Sequence, residues 1–331
     1  MSTLKDVAKL ANVNVSTVSR ALNGNSYVKK TTKEKILNAV KRLNYHPNLL
    51  AKNLKEGKSR TIGVIVPSIG LNIFGEITKN IETECRKLGY NIIIANTQDD
   101  AKVESECIEH LRNGFVSGIV IASCGKNQKL IREINKSGIP IIQMIRKYDD
   151  SINSIAANYE SIGYKGAKYL ILKGCKNIGL INGNMELIPY KNRYDGYKKA
   201  LSEYGLKENV IELVENKIDY LRNGYNSALT LIKNNPNIDG ILTSTDMQGI
   251  GIMRALKEKN IPVPKKIKLI SLTGNYIGEW LETAITSMEI PSKEIGVKIA
   301  NMIVEKIENN TTKKSPSHII FEPSFIERET T

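Results

Sequence analysis

Residues 13–25 read "VNVSTVSRALNGN", and their arrangement on a helix decides how the chain is to be read. At about 100° per residue, Val18, Ala21 and Leu22 fall on one face, while Val15, Ser16, Ser19, Arg20 and Asn23 fall on the other. The polar face has hydroxyls, an amide, one arginine and no carboxylate. Short side chains let a helix backbone come close to a partner, and the lack of an acid suits a polyanion.

The flanking residues supply a setting. Thr3 with Asp6 forms a T-x-x-D variant of the capping box, opening a helix whose apolar side is Val7, Ala8 and Leu10. Ala11-Asn12-Val13 reads as a tight turn, since asparagine tolerates the left-handed conformation, and Asn14 reads as the next helix's N-cap. A third amphipathic segment, roughly residues 32–44, offers Ile36, Leu37, Val40 and Leu43 to close a small core. Two short helices around a tight turn make a helix-turn-helix plan. In a major groove Ser16 can donate or accept, Val15 can meet a thymine methyl, and Arg20 can span O6 and N7 of guanine. Ser19, Asn23 and the helix ends suit phosphate oxygens, which fix register without reading sequence.

Charge agrees independently. The 331 residues carry 48 Lys and Arg against 34 Asp and Glu, a net +14. Residues 1–60 hold 13 of the basic residues and 3 of the acidic ones. A basic charge gathered at one end points to a polyanion such as nucleic acid.

With "TLKDVAKLANVNVSTVSRALNGN" and "VKKTTKEKILNAVKRLNYHPNLLAKNL" quoted in full, the chain resembles the DNA-binding headpiece of the LacI/GalR family from Thr3 to Leu54, and more loosely beyond. Asn12, where glycine is common, and Asn14, where serine often caps, are mild departures. The resemblance implies DNA contacts at Thr3, Val15, Ser16, Ser19, Arg20, Asn23, Tyr27, Ala51 and Leu54. In "HPNLLAKNLKEGKSRT", residues 46–61, a helix of about two turns is marginal alone, yet Leu50, Ala51 and Leu54 give it an apolar edge. The resemblance implies that two such hinge helices pair over DNA with Leu54 wedged into the minor groove. Residues 1–46 are therefore read as headpiece and 47–60 as hinge.

From residue 61 the pattern changes. "TIGVIVP", "YNIIIAN", "SGIVIAS" and "IPIIQMI", then "NIGLING", "NVIELVE", "DGILTST" and "IKLISL", alternate with helical stretches. Continuous apolar strands between helices imply parallel sheets covered on both faces, and two sets imply two lobes with a cleft. The resemblance implies a type I periplasmic-binding-protein-like α/β core, with three crossings near Ala156, Met288 and Ile320. Lobe one is then 61–155 with 289–319, and lobe two 156–288 with 320–331. Open parallel sheets bind ligands at their carboxyl ends, which singles out Asn72 and Phe74, Arg146, Arg193, Asp246 and Thr273. In the family such positions hold small polar ligands. Here Ile145, Ala157 and the run Ser271-Leu272-Thr273-Gly274 stand where carboxylates are frequent. With Arg146, Lys147, Lys191 and Arg193 in the same segments, an anionic carbohydrate becomes an attractive effector.

Catalytic signatures are weak. Gly249-Ile250-Gly251 lacks the third glycine of a dinucleotide fingerprint, and Gly57-Lys58-Ser59 lacks the upstream glycine of a phosphate loop. His46, His110 and His318 lie far apart without metal-ligand spacing. Cys85, Cys107, Cys124 and Cys175 show no CxxC pairing and sit among apolar residues, as reduced thiols do. The first residues contain no apolar h-region and no run approaches a membrane span. The expectation is a cytoplasmic, nucleoid-associated homodimer without cofactor or metal. It would be a repressor binding a pseudo-palindromic DNA operator under control of a small polar effector. A solute-binding receptor of the same fold, or an architectural DNA binder with a vestigial cleft, are the readings from other classes.

Overall fold

The computed structural model describes residues 2–23, 27–45, 59–113, 116–213, 219–274, 276–309 and 315–331. It divides into two units, Met1–Ser59 and Arg60–Thr331. The hinge expected at 47–60 lies almost wholly outside the described residues.

The first unit is α1 (Leu4–Ala11), α2 (Val15–Asn23) and α3 (Lys30–Arg42). Thr3 and Asp6 close the capping box: the Asp6 amide donates to Thr3 Oγ1 at 3.3 Å and the Thr3 amide to Asp6 Oδ2 at 2.8 Å. Asn12 ends α1 in the left-handed region at φ 52°. The Asn14 carbonyl accepts from the Thr17 and Val18 amides at 2.9 and 3.2 Å, which starts α2. Val7, Ala8, Val18, Ala21 and Ile36 form the core. Three details differ from expectation, the first being that Leu10, read on the apolar side of α1, is 42 % exposed. Ala39, not Leu37, joins Ile36 inside, because positions three and four apart share a helical face and Leu37, one residue on, is 47 % exposed. Tyr45, beyond α3, is also buried in this core.

The second unit is built on two six-stranded sheets. The first contains β1 (Thr61–Val66), β2 (Asn91–Asn96), β3 (Gly118–Ile121), β4 (Ile141–Met144), β5 (Asn153–Ala157) and β11 (His318–Phe321). Their order is β11-β5-β4-β3-β1-β2, all parallel. The second contains β6 (Ile178–Asn182), β7 (Asn209–Glu212), β8 (Gly240–Thr243), β9 (Lys268–Gly274), β10 (Thr286–Glu289) and β12 (Ser324–Ile326), in the order β12-β10-β9-β8-β6-β7. Here β12 runs antiparallel to β10, so this sheet is not wholly parallel.

Helices cover both faces. Between strands run α4 (Asn72–Lys87), α5 (Ala101–Arg112), α6 (Gln128–Lys136), α7 (Tyr159–Leu172), α8 (Ile188–Glu203), α9 (Tyr220–Asn234), α10 (Asp246–Glu258), the short α11 (Tyr276–Glu279) and α12 (Ser292–Asn309). The period-2 alternation of strand side chains divides the core. Ile62, Val64 and Val66 pack with Ile77, Ile81 and Ile299 of α4 and α12. Ile65 packs with Ile108 and Ile131 of α5 and α6.

The three passages between sheets follow β5, β10 and β11, after Ala157, Glu289 and Phe321. Strand β2 is also not covered on both faces: it is a sheet edge, and Ile93 and Ile94 are 41 % and 48 % exposed.

Candidate functional site

On α2 the residues read from sequence as base-facing lie outside. Val15, Ser16 and Arg20 are exposed, Ser19 is half-buried, and Val18 and Ala21 are buried. The first turn has no acid and Arg20 is the basic residue of the last. Thr3 is exposed at the start of α1, and Tyr27 is 90 % exposed. Asn23 is the last residue of α2; its side chain, with Ala51 and Leu54, lies outside the described residues. This unit therefore presents short donors and acceptors beside an arginine on a small rigid core, the chemistry needed at base edges and phosphates.

In the second unit a cleft of about 740 Å³ opens at the carboxyl ends of both sheets. From the first sheet come Pro67 and Ser68 after β1, Asn96 and Gln98 to Ala101 around the end of β2, and Cys124 and Lys126 after β3. From the second come Asn184, Glu186, Leu187 and Tyr190 after β6, with Asp219 and Tyr220 at the start of α9. Topology places it there, because every one of those loops leaves a strand at the same end.

The six side chains read from sequence as ligand contacts do not line this cleft. Phe74, Arg146, Arg193, Asp246 and Thr273 are all at least 95 % buried, and the structure gathers them into a layer behind it or packs them elsewhere. Arg146 is held by both oxygens of Asp99, Nη2 to Oδ2 at 3.0 Å with Nη1 on Oδ1, and Nη1 also donates to the Ser123 carbonyl at 3.2 Å. The Phe74 ring lies 5.7 Å from its guanidinium. Burial works against the charge on Arg146, but the Asp99 hydrogen bond and charge outweigh it and raise its pKa above the ordinary arginine value. Arg193 Nη2 donates to Thr273 Oγ1, and its guanidinium lies 4.7 and 5.5 Å from the Tyr159 and Tyr190 ring centroids. Burial holds the Arg193 pKa below the ordinary value, and the same burial pushes Tyr159 up to about 12. Asp246 begins α10 with Gly278 against it, where an added Cβ would sit 3.3 Å from Oδ2. Asn72 opens α4, half-buried, and Leu71 before it gives no side-chain cap.

The charge reading also changes. Lys147 pairs with Asp150 at 2.6 Å, Lys191 pairs with Asp195, and Arg146 with Asp99. Three of the four cations that suggested an anionic effector are thus already neutralised by protein carboxylates. Two of these pairs are local, Lys191 with Asp195 at i,i+4 on α8 and Lys147 with Asp150 at i,i+3, whereas the Arg146–Asp99 pair depends on loop conformation, which sequence spacing does not report.

The residues that sequence reading missed are those of the cleft wall: Asp99, Lys126, Glu186, Tyr190 and Tyr220. Lys126 and Glu186 meet across the cleft at 3.1 Å. The rule that singled out strand ends also pointed to these loops. It did not say which side chains turn inward.

The comparisons with known proteins follow this division. Residues 59–329 match the family described as periplasmic binding proteins and sugar binding domain of LacI family. Residues 3–48 match that of bacterial regulatory proteins, lacI family. The chain belongs to the LacI family. This LacI-family chain is 28% identical over 308 residues to the ribose operon repressor of Halalkalibacterium halodurans, covering 93% of this chain and 91% of that protein. It is 29% identical over 332 residues to the HTH-type transcriptional regulator RegA of Clostridium saccharobutylicum, covering 100% and 99%. Its fold is similar to that of the lac repressor dimer bound to operator and the anti-inducer ONPF, with TM-score 0.87 at 22% identity, covering 99% and 98%. The family assignment is that of a DNA-binding regulator and not of an enzyme. Among the described residues no helix is long and apolar enough to cross a membrane.

Proposed function

We propose that this LacI-family chain is a sequence-specific transcriptional repressor working in the cytoplasm, whose operator affinity is set by a small polyhydroxy effector bound between its two lobes. The observation that carries the reading is the joining, in one chain, of a helix-turn-helix face bearing Ser16 and Arg20 to a unit with a cleft between two α/β lobes. A solute-binding receptor has no use for the first, and an architectural DNA binder has none for the second. The relatives named as a ribose operon repressor and a transcriptional regulator support the same assignment.

Thr3, Val15, Ser16, Ser19, Arg20, Asn23, Tyr27, Ala51 and Leu54 are the proposed DNA contacts. For the effector, the wall residues Tyr190 and Tyr220 supply stacking surface. Arg146 and Arg193, with Phe74, Thr273, Asn72 and Asp246, form the supporting layer that a closing cleft brings into use. The protein acts as a homodimer on a pseudo-palindromic operator, since twofold protein symmetry imposes twofold site symmetry. Exposed apolar residues support such an interface: Ile93, Ile94 and Val103 on one lobe, and Tyr276 with Trp280, 80 % exposed, on the other. Effector binding shifts the balance between two lobe arrangements, and the hinge segment passes that shift to DNA affinity.

The test is fluorescence anisotropy of the full chain on a duplex selected from a random pool, titrated with neutral sugars, sugar acids, sugar phosphates and purines. Release or tightening by one compound is the expected result. Failure to select any palindromic duplex overturns the reading.

A further inference from the structure

We propose that Asp99 sets the charge class of the cleft's ligand: by occupying Arg146 it makes the site one for an uncharged polyhydroxy compound and excludes phosphate esters. The inference rests on the reading of the cleft as the effector site.

The backbone is built for this pairing from both ends. Gln98 and Asp99 are consecutive left-handed residues, φ 53° and 56°. Two amide bonds anchor them, Thr97 to the Val66 carbonyl at 2.9 Å and Gln98 to the Pro67 carbonyl at 2.8 Å. From the other side Ile145, a β-branched residue, stands at φ 69°. The Arg146 amide donates to the Met144 carbonyl two residues back at 2.7 Å, a tight turn around that strained residue. A left-handed β-branched residue is costly, and here it aims Arg146 back toward Asp99. Bidentate pairing uses the donors that would otherwise hold a phosphate or carboxylate of a ligand.

The rest of the site offers an anion little in exchange. Lys126 is paired with Glu186. Asp100 and Asp219 sit at the cleft as the N-caps of α5 and α9, Asp100 accepting from the Lys102 and Val103 amides and Asp219 from that of Arg222. Helix N-termini are natural phosphate sites, and these two carry their own carboxylates. Even with Arg193 counted, the three cations Lys126, Arg146 and Arg193 face the four carboxylates Asp99, Asp100, Glu186 and Asp219. A phosphate dianion would add to an existing excess of negative charge, whereas ligand hydroxyls can donate to those carboxylates.

Titration calorimetry of the full chain tests this with glucose 6-phosphate and ribose 5-phosphate as probes, on the wild type, Arg146→Gln, Asp99→Asn, and the double variant Asp99→Asn/Arg146→Gln. The double variant measures binding to the basic headpiece, which is subtracted. Wild type and Arg146→Gln are expected to match that background. Asp99→Asn, which frees the Arg146 guanidinium, is expected to bind phosphate esters about tenfold or more tightly than background, the strength of one regained charged hydrogen-bond pair. Phosphate-ester binding to the wild type that Arg146→Gln removes overturns the proposal. So does a folded Asp99→Asn protein with no gain. Should Asp99→Asn fail to fold, the wild-type against Arg146→Gln comparison decides alone. If phosphate esters bind the wild-type cleft and release operator DNA, the charge assignment falls and the regulator reading stands. If the wild type ignores phosphate esters and no palindromic duplex can be selected, the reverse holds.

Discussion

Arg193 and Tyr159 stand face to face, 4.7 Å from guanidinium carbon to ring centroid, because α7 and α8 touch backbone to backbone. A Cβ on Gly163 would lie 2.0 Å from the Arg193 carbonyl oxygen, and one on Gly196 2.0 Å from that of Glu160. The two glycines are what let a buried cation sit against an aromatic ring one helix away. Gly163→Ala must therefore move α8 and carry Arg193 off Tyr159 and Thr273. Overpacking of this kind costs about 1–3 kcal/mol, read as a lowered thermal midpoint, and the response of operator binding to the effector should weaken in the same variant. A variant with unchanged midpoint and unchanged response would mean that the helices slide apart without effect.

At the proposed DNA face, specificity and attraction can be separated by substitution. Arg20→Ala should relax base preference, with a discrimination loss of about 1–3 kcal/mol at one base pair. Loss of Lys52 or Lys55, in the basic hinge sequence, should instead flatten the salt dependence by about 0.9 log units per phosphate contact. Selection from random duplexes and a salt series distinguish the two. Equal losses on selected and random duplexes would remove Arg20 from the base-reading set.

Most of the architecture was legible before any coordinates because it follows from hydrophobic pattern. The eight continuous apolar runs are the eight strands β1–β4 and β6–β9. The four others escaped notice for physical reasons: β5 opens on the buried polar residues Asn153 and Ser154, which cuts its apolar run to three residues. In β10 the buried residues are partly hydroxylic: the Thr286 amide donates to Thr330 Oγ1, and Ser287 Oγ accepts from Arg328, so the strand carries no apolar run. Strands β11 and β12 are short, lie at sheet edges and have no fully buried side chain. The site was legible only in outline. Strand ends named the right loops, but the Asp99–Arg146 pair joins residues 47 apart through two left-handed turns that no residue pattern announces.

In the first unit, stability should be concentrated in two local features. Thr3→Ala breaks the capping box and should cost about 0.5–2 kcal/mol. Asn12→Ala places a Cβ-bearing residue without a turn-forming amide at φ 52° and should cost about 1–2 kcal/mol. Both changes leave Ser16 and Arg20 untouched, so for Asn12→Ala selected-duplex affinity should fall only as far as the folded fraction does, whereas Thr3→Ala, which also removes a proposed DNA contact, should lose more. Circular dichroism melts beside anisotropy on the same samples check this. Thr3→Ala affinity that merely tracks the folded fraction would make Thr3 a cap alone and remove it from the DNA contacts.

The loop that carries Arg146 should be the acid-sensitive part of the second unit. Gln143, buried in β4, accepts from the Tyr148 and Asp149 amides at 2.8 and 2.9 Å and donates to the Asp149 and Ile152 carbonyls at 2.7 and 3.1 Å. Asp149 completes the loop, accepting from the Ser151 amide and hydroxyl at 2.8 and 2.6 Å and from Arg132 Nε at 2.7 Å. Burial pushes the Asp149 carboxyl up, but the Ser151 and Arg132 bonds together outweigh it and hold its pKa below the usual aspartate value. A carboxyl with a depressed folded pKa contributes its stability above the unfolded value, about 3.9, and loses it as pH falls through the folded one. Wild type should therefore exceed Asp149→Asn in urea stability at neutral pH, and the gap should close as pH drops below about 4. Two stability curves that stay parallel across that range would show that the Asp149 charge contributes nothing, leaving Gln143 as the loop's organiser.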